Sequence, residues 1–181
     1  MFTIQINADT YLGLLEKRHA EELFTLTDSS RSYLREWLPW VDATKSVADS
    51  ESFIDFTLQQ FAKNNGFQLA ICYQGKIAGM IGLHSINWAN RSTSIGYWLG
   101  EEYQGKGLMV RACEAVIKYC FIENNLNRIE IRVATGNKRS QAIPEKLGFQ
   151  KEGCVRQVEW LYNRFVDHDV YGLLKEDYEK L

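Results

Sequence analysis

Three apolar, β-rich runs follow one another in the middle of the chain and restrict its fold more than any other feature. They are residues 67–73, 77–86 and 92–99, and the short turns between them contain Gly75 in one case and Asn90 with Arg91 in the other. Runs of this kind that are joined by short turns are typical of antiparallel hairpins. We therefore predict three consecutive antiparallel strands.

Helical and strand patterns alternate in the rest of the chain. Apolar residues recur near every 3.6 positions in segments 46–64 and 108–123, so both are predicted to be helices. The other predicted helices are 19–27, the first half of 33–40 and 140–147, and the other strands are 10–15, 128–134, 149–160 and 165–174. The order β-α-α-β-β-β-α-β-α-β-β combines hairpins with helical crossovers. It predicts an α+β fold with a mixed, mostly antiparallel sheet flanked by helices.

The composition is that of an ordinary globular protein. The length of 181 residues favours a single domain over 1–181, and 45% hydrophobic and 24% charged residues are typical values. The 21 Lys and Arg residues nearly balance the 23 Asp and Glu residues, which argues against a nucleic-acid-binding protein. No apolar stretch approaches the roughly 20 residues of a membrane span, and segment 1–6 lacks the features of a secretory signal.

Four cysteines, Cys72, Cys113, Cys120 and Cys154, lie far apart and form no C-x-x-C pair. Cys113 and Cys120 are seven residues apart, which places them on one face of the predicted helix as buried thiols. Scattered cysteines without a pairing pattern are typical of a reducing environment. The sequence therefore predicts a cytoplasmic protein.

A glycine-rich loop joins the third of the central strands to the helix predicted at 108–123. From residue 100 to 109 it reads Gly-Glu-Glu-Tyr-Gln-Gly-Lys-Gly-Leu-Met. A junction of this kind presents unpaired backbone N–H groups and the positive end of a helix dipole, which favours an anion such as a pyrophosphate. A purely structural interpretation stays open, in which the glycines only provide the turn that starts the helix.

Two nucleotide-binding motifs fit this loop poorly. The spacing from Gly100 to Lys106 nearly matches a phosphate-binding P-loop, but Gly107 stands where Mg²⁺ binding requires Ser or Thr. The spacing from Gly105 to Val110 lacks the third glycine of a dinucleotide fingerprint, and the strands before it are predicted to be antiparallel. We therefore reject both motifs.

The same loop resembles the acetyl-CoA pyrophosphate loop, Q/R-x-x-G-x-G/A, of the GNAT superfamily of N-acetyltransferases. The matching residues are Gln104, Gly105, Lys106, Gly107, Leu108 and Met109, with Met109 in place of the small residue. Segments 34–40, 79–84, 90–99, 137–140 and 146–153 extend the resemblance to the RimL-type branch, whose members acetylate N-terminal amines of ribosomal proteins. The resemblance implies a GNAT fold that holds acetyl-CoA in a V-shaped gap between strands 92–99 and 128–134.

The resemblance also implies roles for residues outside the loop. Ser140 matches the residue proposed to protonate the coenzyme A thiolate, and Glu159 matches the proposed general base. Asn137 is implied to hydrogen-bond the cofactor, and the backbone of Trp98 and Leu99 to pair with its pantetheine arm. Structural alternatives stay open, because Ser140 or Asn137 can cap a helix or turn and Glu159 can be an ordinary exposed strand carboxylate.

Trp37 and Trp40 are candidates for an apolar wall beside the acetyl acceptor, although packing in the core is the commoner role of tryptophan. His168 lies between Asp167 and Asp169, but alternation along a strand directs the two carboxylates away from the imidazole. We therefore expect no metal site.

The resulting expectation is an acetyl-CoA-dependent N-acetyltransferase that modifies the N-terminal amine of a protein, with ribosomal proteins as the implied acceptors. An enzyme that acetylates small amines and a non-catalytic acyl-CoA-binding protein of the same fold are the alternatives. Family members are frequently dimers, so the resemblance also implies a homodimer, and neither a membrane nor a nucleic acid is expected as a partner.

Overall fold

The computed structural model describes residues 2–180. The strands are β1 (Thr3–Gln5), β2 (Thr10–Leu14), β3 (Gln68–Tyr73), β4 (Lys76–Asn87), β5 (Ser92–Leu99), β6 (Arg128–Ala134), β7 (Gln150–Leu161) and β8 (Arg164–Leu174). The helices are α1 (Ala20–Ser29), α2 (Arg31–Arg35), α3 (Val47–Ala62), α4 (Leu108–Lys118), α5 (Lys138–Lys146) and α6 (Lys175–Tyr178). Among these residues, none of the helices combines the length and the hydropathy that a membrane span requires.

All eight strands join one sheet in the order β1-β2-β3-β4-β5-β6-β8-β7. The three central strands form the two predicted antiparallel hairpins, β3 with β4 and β4 with β5. The first turn contains Gln74 and Gly75, both with positive φ, which is the conformation that tight hairpin turns require. One strand pair, β5 with β6, is parallel, so the predicted α+β fold with a mixed, mostly antiparallel sheet is confirmed.

Two short elements, β1 and α6, fall outside the predicted pattern. β1 has three residues, too few to show a periodicity, and it forms by pairing with β2. The helix predicted at 108–123 is regular only as far as Lys118, and Tyr119–Glu123 continues it as a π-helical turn. These differences arise from tertiary packing, which local sequence patterns do not report.

Helices cover the sheet on both faces. On one face, α4 presents a buried stripe at helical spacing, and this stripe packs on the central strands together with Phe121 and Leu126. On the other face, α1 and α3 enclose a smaller cluster that includes Leu23, Ile54 and Met80. Cys113 and Cys120 are both fully buried, as predicted, and burial raises the pKa of Cys120 to about 12.

The parallel pair β5–β6 holds together over three residues only. Ser92, Thr93 and Ser94 lie opposite residues 128–130, and beyond them the two strands separate. β5 continues along β4 as far as Leu99, while β6 continues along β8 as far as Ala134. Each strand therefore keeps a hydrogen-bonded neighbour on one side, and a wedge-shaped gap opens between them, as the resemblance implied.

Candidate active site

The gap between β5 and β6 widens into a cleft of about 680 Å³. This volume lies within the range of about 300–1,000 Å³ that is usual for sites that bury a whole small ligand. Its aromatic lining consists of Trp37, Trp40, Phe53, Phe56, Tyr97 and Trp98. Its polar lining includes His84, Arg132, Asn137, Ser140, Glu159 and His168. The cleft therefore combines an apolar wall with a group of side chains that can exchange protons.

The glycine-rich loop lies between the end of β5 and the start of α4. Gly105 and Gly107 both have positive φ, 75° and 68°, and Gly107 is the N-cap of α4. A Cβ at Gly105 would meet no atom within 4 Å, so backbone conformation and not crowding requires glycine there. The side chain of Leu108 is buried in the core, and its backbone N–H is one of the first N–H groups of α4, which have no partner within the helix.

The start of α4 fits a pyrophosphate. Its N-cap is glycine, so no side chain satisfies the first N–H groups of the helix, and these carry the positive end of its dipole. Lys106 and Arg111 add two positive charges, and each of them donates a hydrogen bond to a loop carbonyl, Lys106 to Glu102 at 2.8 Å and Arg111 to Lys106 at 3.0 Å. The Nε of Arg111 is buried without a hydrogen-bond partner among residues 2–180.

Gln104 ties the loop to the end of β5. Its side-chain amide donates to the carbonyl oxygens of Leu99 at 3.3 Å and Gly100 at 3.4 Å. A second cavity of about 100 Å³ lies beside this bond and shares part of its lining with the large cleft. Its lining brings together five predicted cofactor residues, Trp98, Leu99, Gln104, Met109 and Asn137, and the predicted catalytic residue Ser140.

Ser140 faces β5 from the first turn of α5. Asn137 is the N-cap of this helix, and its Oδ1 accepts a hydrogen bond from the Ser140 N–H at 3.2 Å. The interpretation of Ser140 as the helix cap is therefore wrong, and its hydroxyl is available for another partner. That partner is Tyr97, because the Ser140 Oγ donates to the Tyr97 oxygen at 3.3 Å, and the Tyr97 hydroxyl donates to the Ser140 carbonyl at 3.1 Å.

Glu159 is paired and only 29% exposed, so it is not an ordinary solvated strand carboxylate. Its Oε2 lies 3.2 Å from the Nε2 of His168, whose side chain is 16% exposed. A register shift between Val155 and Glu159, with positive φ at Gln157, precedes this position in β7. Bulges of this kind redirect the side chains that follow them, and here both members of the pair line the cleft.

Trp37 and Trp40 lie in the wall of the cleft. The ring of Trp37 lies so close to Gly136 that a Cβ there would approach it to 2.8 Å. Trp40 packs against Trp98 with 5.6 Å between ring centroids. Both tryptophans are partly exposed, so the cleft and not the core is their main environment.

Comparison with known proteins identifies the family. The sequence profile described as "Acetyltransferase (GNAT) domain" matches residues 10–150. The chain belongs to the GNAT acetyltransferase family. It is 39% identical to a Bacillus subtilis (strain 168) protein, YdaF, that is assigned as a ribosomal N-acetyltransferase, over 99% of this chain and 98% of that protein.

Two further GNAT proteins are similar over nearly their whole length. The ribosomal-protein-serine acetyltransferase of Escherichia coli (strain K12) is 25% identical, over 94% of this chain and 95% of its own. The solved structure of the microcin C7 self immunity acetyltransferase MccE in complex with acetyl-CoA and AMP is 29% identical, with a TM-score of 0.91, and the match covers 94% and 95% of the two chains. The predicted GNAT family and fold are therefore confirmed.

Three residues of this GNAT cleft, His84, Tyr97 and His168, are given no role in the site by the sequence alone. The Nδ1 of His84 lies 2.9 Å from the hydroxyl of Ser94, and its ring lies so close to Gly96 that a Cβ there would approach Nε2 to 2.6 Å. Burial and the nearby charge of Arg132 lower the pKa of His84 and favour the neutral ring. Each of these residues contacts a partner on another strand or helix. Residue spacing within one segment does not reveal such a contact.

The side chains of His168 and Asp169 point to opposite sides of β8, as alternation along a strand predicts. His168 faces Glu159 in the cleft, whereas Asp169 is buried on the opposite side between Gln141 and Lys151, each at 2.8 Å. The Asp167 carboxylate accepts the N–H of Gln157 at 2.8 Å. Residues 2–180 contain no group of three or more His, Cys, Asp and Glu side chains arranged to hold a metal ion.

Proposed function

We propose that the protein is an acetyl-CoA-dependent N-acetyltransferase that modifies the N-terminal α-amine of a protein. One observation carries the proposal, namely that the β5–β6 gap joins the anion-binding start of α4 to a cleft lined by Ser140 and Glu159. The names of two relatives, YdaF and the E. coli serine acetyltransferase, support a ribosomal protein as the acceptor. The acetyl-CoA bound in the related MccE structure supports the cosubstrate.

The residues around the gap fit acetyl-CoA, which supplies the activated acetyl group when bound. The N–H groups of residues 107–109 would hold its pyrophosphate, with Lys106 and Arg111 adding positive charge. The free edge of β5 at Trp98 and Leu99 would pair with the pantetheine arm, and Asn137 would lie beside it. Binding both substrates in one cleft supplies proximity, which corresponds to about 7–11 kcal/mol of the barrier.

Two hydrogen-bonded pairs would share the proton transfers. The amine must lose its proton to attack, and Glu159, held by His168, would accept that proton directly or through water. The departing thiolate needs a proton, and Ser140 would turn its hydroxyl from Tyr97 to the sulfur, donate the proton and take one back from water in the cleft. Burial raises the pKa of Tyr97, so its hydroxyl stays protonated during this step.

An N-terminal amine is the acceptor that fits this chemistry best. Its reference pKa of about 7.7–8.0 lies far below the value of about 10.4 for lysine, so much more of it is neutral near pH 7.5. The test is a peptide with N-terminal Ser or Ala and one internal Lys, incubated with enzyme and acetyl-CoA, with the acetylated amine located by mass spectrometry. We expect the acetyl group on the α-amine. Acetylation of the Lys, or of polyamines in preference to the peptide, would reject the N-terminal acceptor.

We also propose that the protein acts in the cytoplasm as a homodimer. All four cysteines are free and three of them are buried, which fits a reducing compartment. β7 is a twelve-residue strand at the edge of the sheet. Its residues are exposed from Gln150 to Val158, and Trp160 is exposed as well. A long exposed edge with apolar side chains offers a surface for pairing with a second copy.

A further inference from the structure

The part of the cleft lined by α3 has an aromatic wall that the acetyl-transfer chemistry does not use. Phe53 and Phe56 lie three residues apart on α3, so they share one face of the helix. Both line the cleft and both remain exposed to solvent, Phe53 at 38% and Phe56 at 63%. Large aromatic side chains that stay exposed inside a binding cleft are available to a ligand.

The position of α3 is fixed at its start. The Asp49 carboxylate accepts the N–H groups of Lys45 and Ser46, each at 2.9 Å, and these bonds lower the pKa of Asp49. Asp49 and Ser50 line the cleft together with Phe53 and Phe56, so the first half of α3 presents one continuous stripe to it. The stripe is therefore part of a regular, capped helix and not of a loop.

The charges in this cleft select against an acidic acceptor. Asp49 and Glu159 contribute two carboxylates to its lining. The guanidinium of Arg132, which also lines it, is paired with Glu130 at 2.6 Å. An acidic side chain entering beside α3 would meet like charge, and among residues 2–180 the lining offers it no unpaired cation. An apolar side chain would instead cover aromatic surface.

We propose that Phe53 and Phe56 form a subsite for an apolar side chain that directly follows the acetylated residue of a peptide acceptor. The proposal rests on the proposed function and specifies its substrate class, namely N-terminal Ser or Ala followed by a large apolar residue. Phe53, Phe56 and Glu159 line the same cleft, so the proposed subsite and the proposed base open to one space.

The test compares three peptides that differ only at the second position, which is Leu, Gly or Asp. With wild-type enzyme we expect kcat/KM to fall in the order Leu, Gly, Asp, with about tenfold between Leu and Gly. Phe56→Ala should remove most of the advantage of Leu and leave the Gly peptide nearly unchanged. Ile122→Ala is the control, because Ile122 is 54% exposed and lies outside the lining of the cleft.

The outcomes separate the subsite from the proposed function. If the three peptides react equally well, or if Phe56→Ala slows the Leu and Gly peptides to the same extent, the enzyme acetylates N-termini but the subsite is wrong. If no peptide reacts while a small amine does, the proposed function fails and the subsite fails with it. Circular dichroism and the melting temperature of Phe56→Ala confirm that a lower rate does not reflect unfolding.

Discussion

At the residue scale, the proposed chemistry depends on two separate hydrogen-bonded pairs, Ser140 with Tyr97 and Glu159 with His168. Each pair joins a residue that the GNAT resemblance implicated to one that it did not. In both pairs the second residue contacts the first at the cleft, so we propose it as a positioning residue for a proton transfer. Substitutions in the two pairs should therefore have different kinetic signatures.

For the Glu159 pair, we predict a loss of activity that depends on pH. Glu159→Gln keeps the shape of the side chain but removes its basicity, so kcat/KM should fall by about 10²-fold near neutral pH. The loss should shrink as pH rises through about 7.7–8.0, because the α-amine then arrives already neutral. The measurement is the rate of coenzyme A release from pH 6 to 9, and an unaltered rate across this range would remove Glu159 from the mechanism.

His168 gives a second test of the same pair. His168→Phe removes the group that contacts Glu159 and should lower kcat by about tenfold while the KM for acetyl-CoA stays unchanged. His168→Gln retains a side-chain N–H and should recover part of the rate. A normal kcat in His168→Phe would indicate that His168 contributes by packing alone.

For α5, we predict that substitutions of Asn137 and Ser140 differ in their effect on stability. Asn137→Ala removes the helix cap and should cost about 1 kcal/mol of unfolding free energy, which lowers the melting temperature by about 2–4 °C. Ser140→Ala leaves the cap intact, so it should lower kcat and affect stability less, with little change in acetyl-CoA affinity. A Ser140→Ala enzyme with normal turnover and a lowered melting temperature would show that Ser140 is structural.

At the scale of elements, the glycine-rich loop is the feature that the sequence alone locates best. Its glycines, the strand before it and the helix after it are consecutive, so local spacing suffices to predict the anion-binding junction. Tyr97 reaches Ser140 over 43 residues, and His168 reaches Glu159 only because of the register shift in β7. Such contacts depend on strand order and register, which one sequence read by itself does not determine.

The loop also allows a prediction with a control for backbone strain. Gly105→Ala places a side chain where the pyrophosphate would approach. Gly75→Ala is the control, because it introduces similar backbone strain in a hairpin turn far from this loop in sequence. The φ angles of the two glycines are 75° and 79°, and a Cβ would meet open space at both positions. Acetyl-CoA at about 100 times its Kd should add about 2.7 kcal/mol to the wild type. We expect differential scanning fluorimetry to show this stabilisation in Gly75→Ala and its loss in Gly105→Ala, and equal shifts would reject the loop as the pyrophosphate site.

At the scale of the whole molecule, the sheet is covered by helices on both faces but open at the β7 edge. If a second copy pairs there, a charge placed on that edge should separate the two copies. We predict that Val158→Lys shifts the protein from dimer to monomer in sedimentation velocity, whereas Ile122→Lys, at another exposed position, leaves the dimer intact. A wild-type protein that sediments as a monomer at micromolar concentration would reject the dimer.

The most direct test of the account is whether a peptide amine makes the protein release coenzyme A. The measurement is the rate of free thiol formation from acetyl-CoA with a Ser-Leu peptide, with the same peptide blocked at its N-terminus, and with no acceptor. We predict repeated turnover with the free peptide and background rates in the other two reactions. If acetyl-CoA stabilises the protein but no amine raises thiol release above the acceptor-free rate, the protein binds acyl-CoA without transferring it, and the proposed function is wrong.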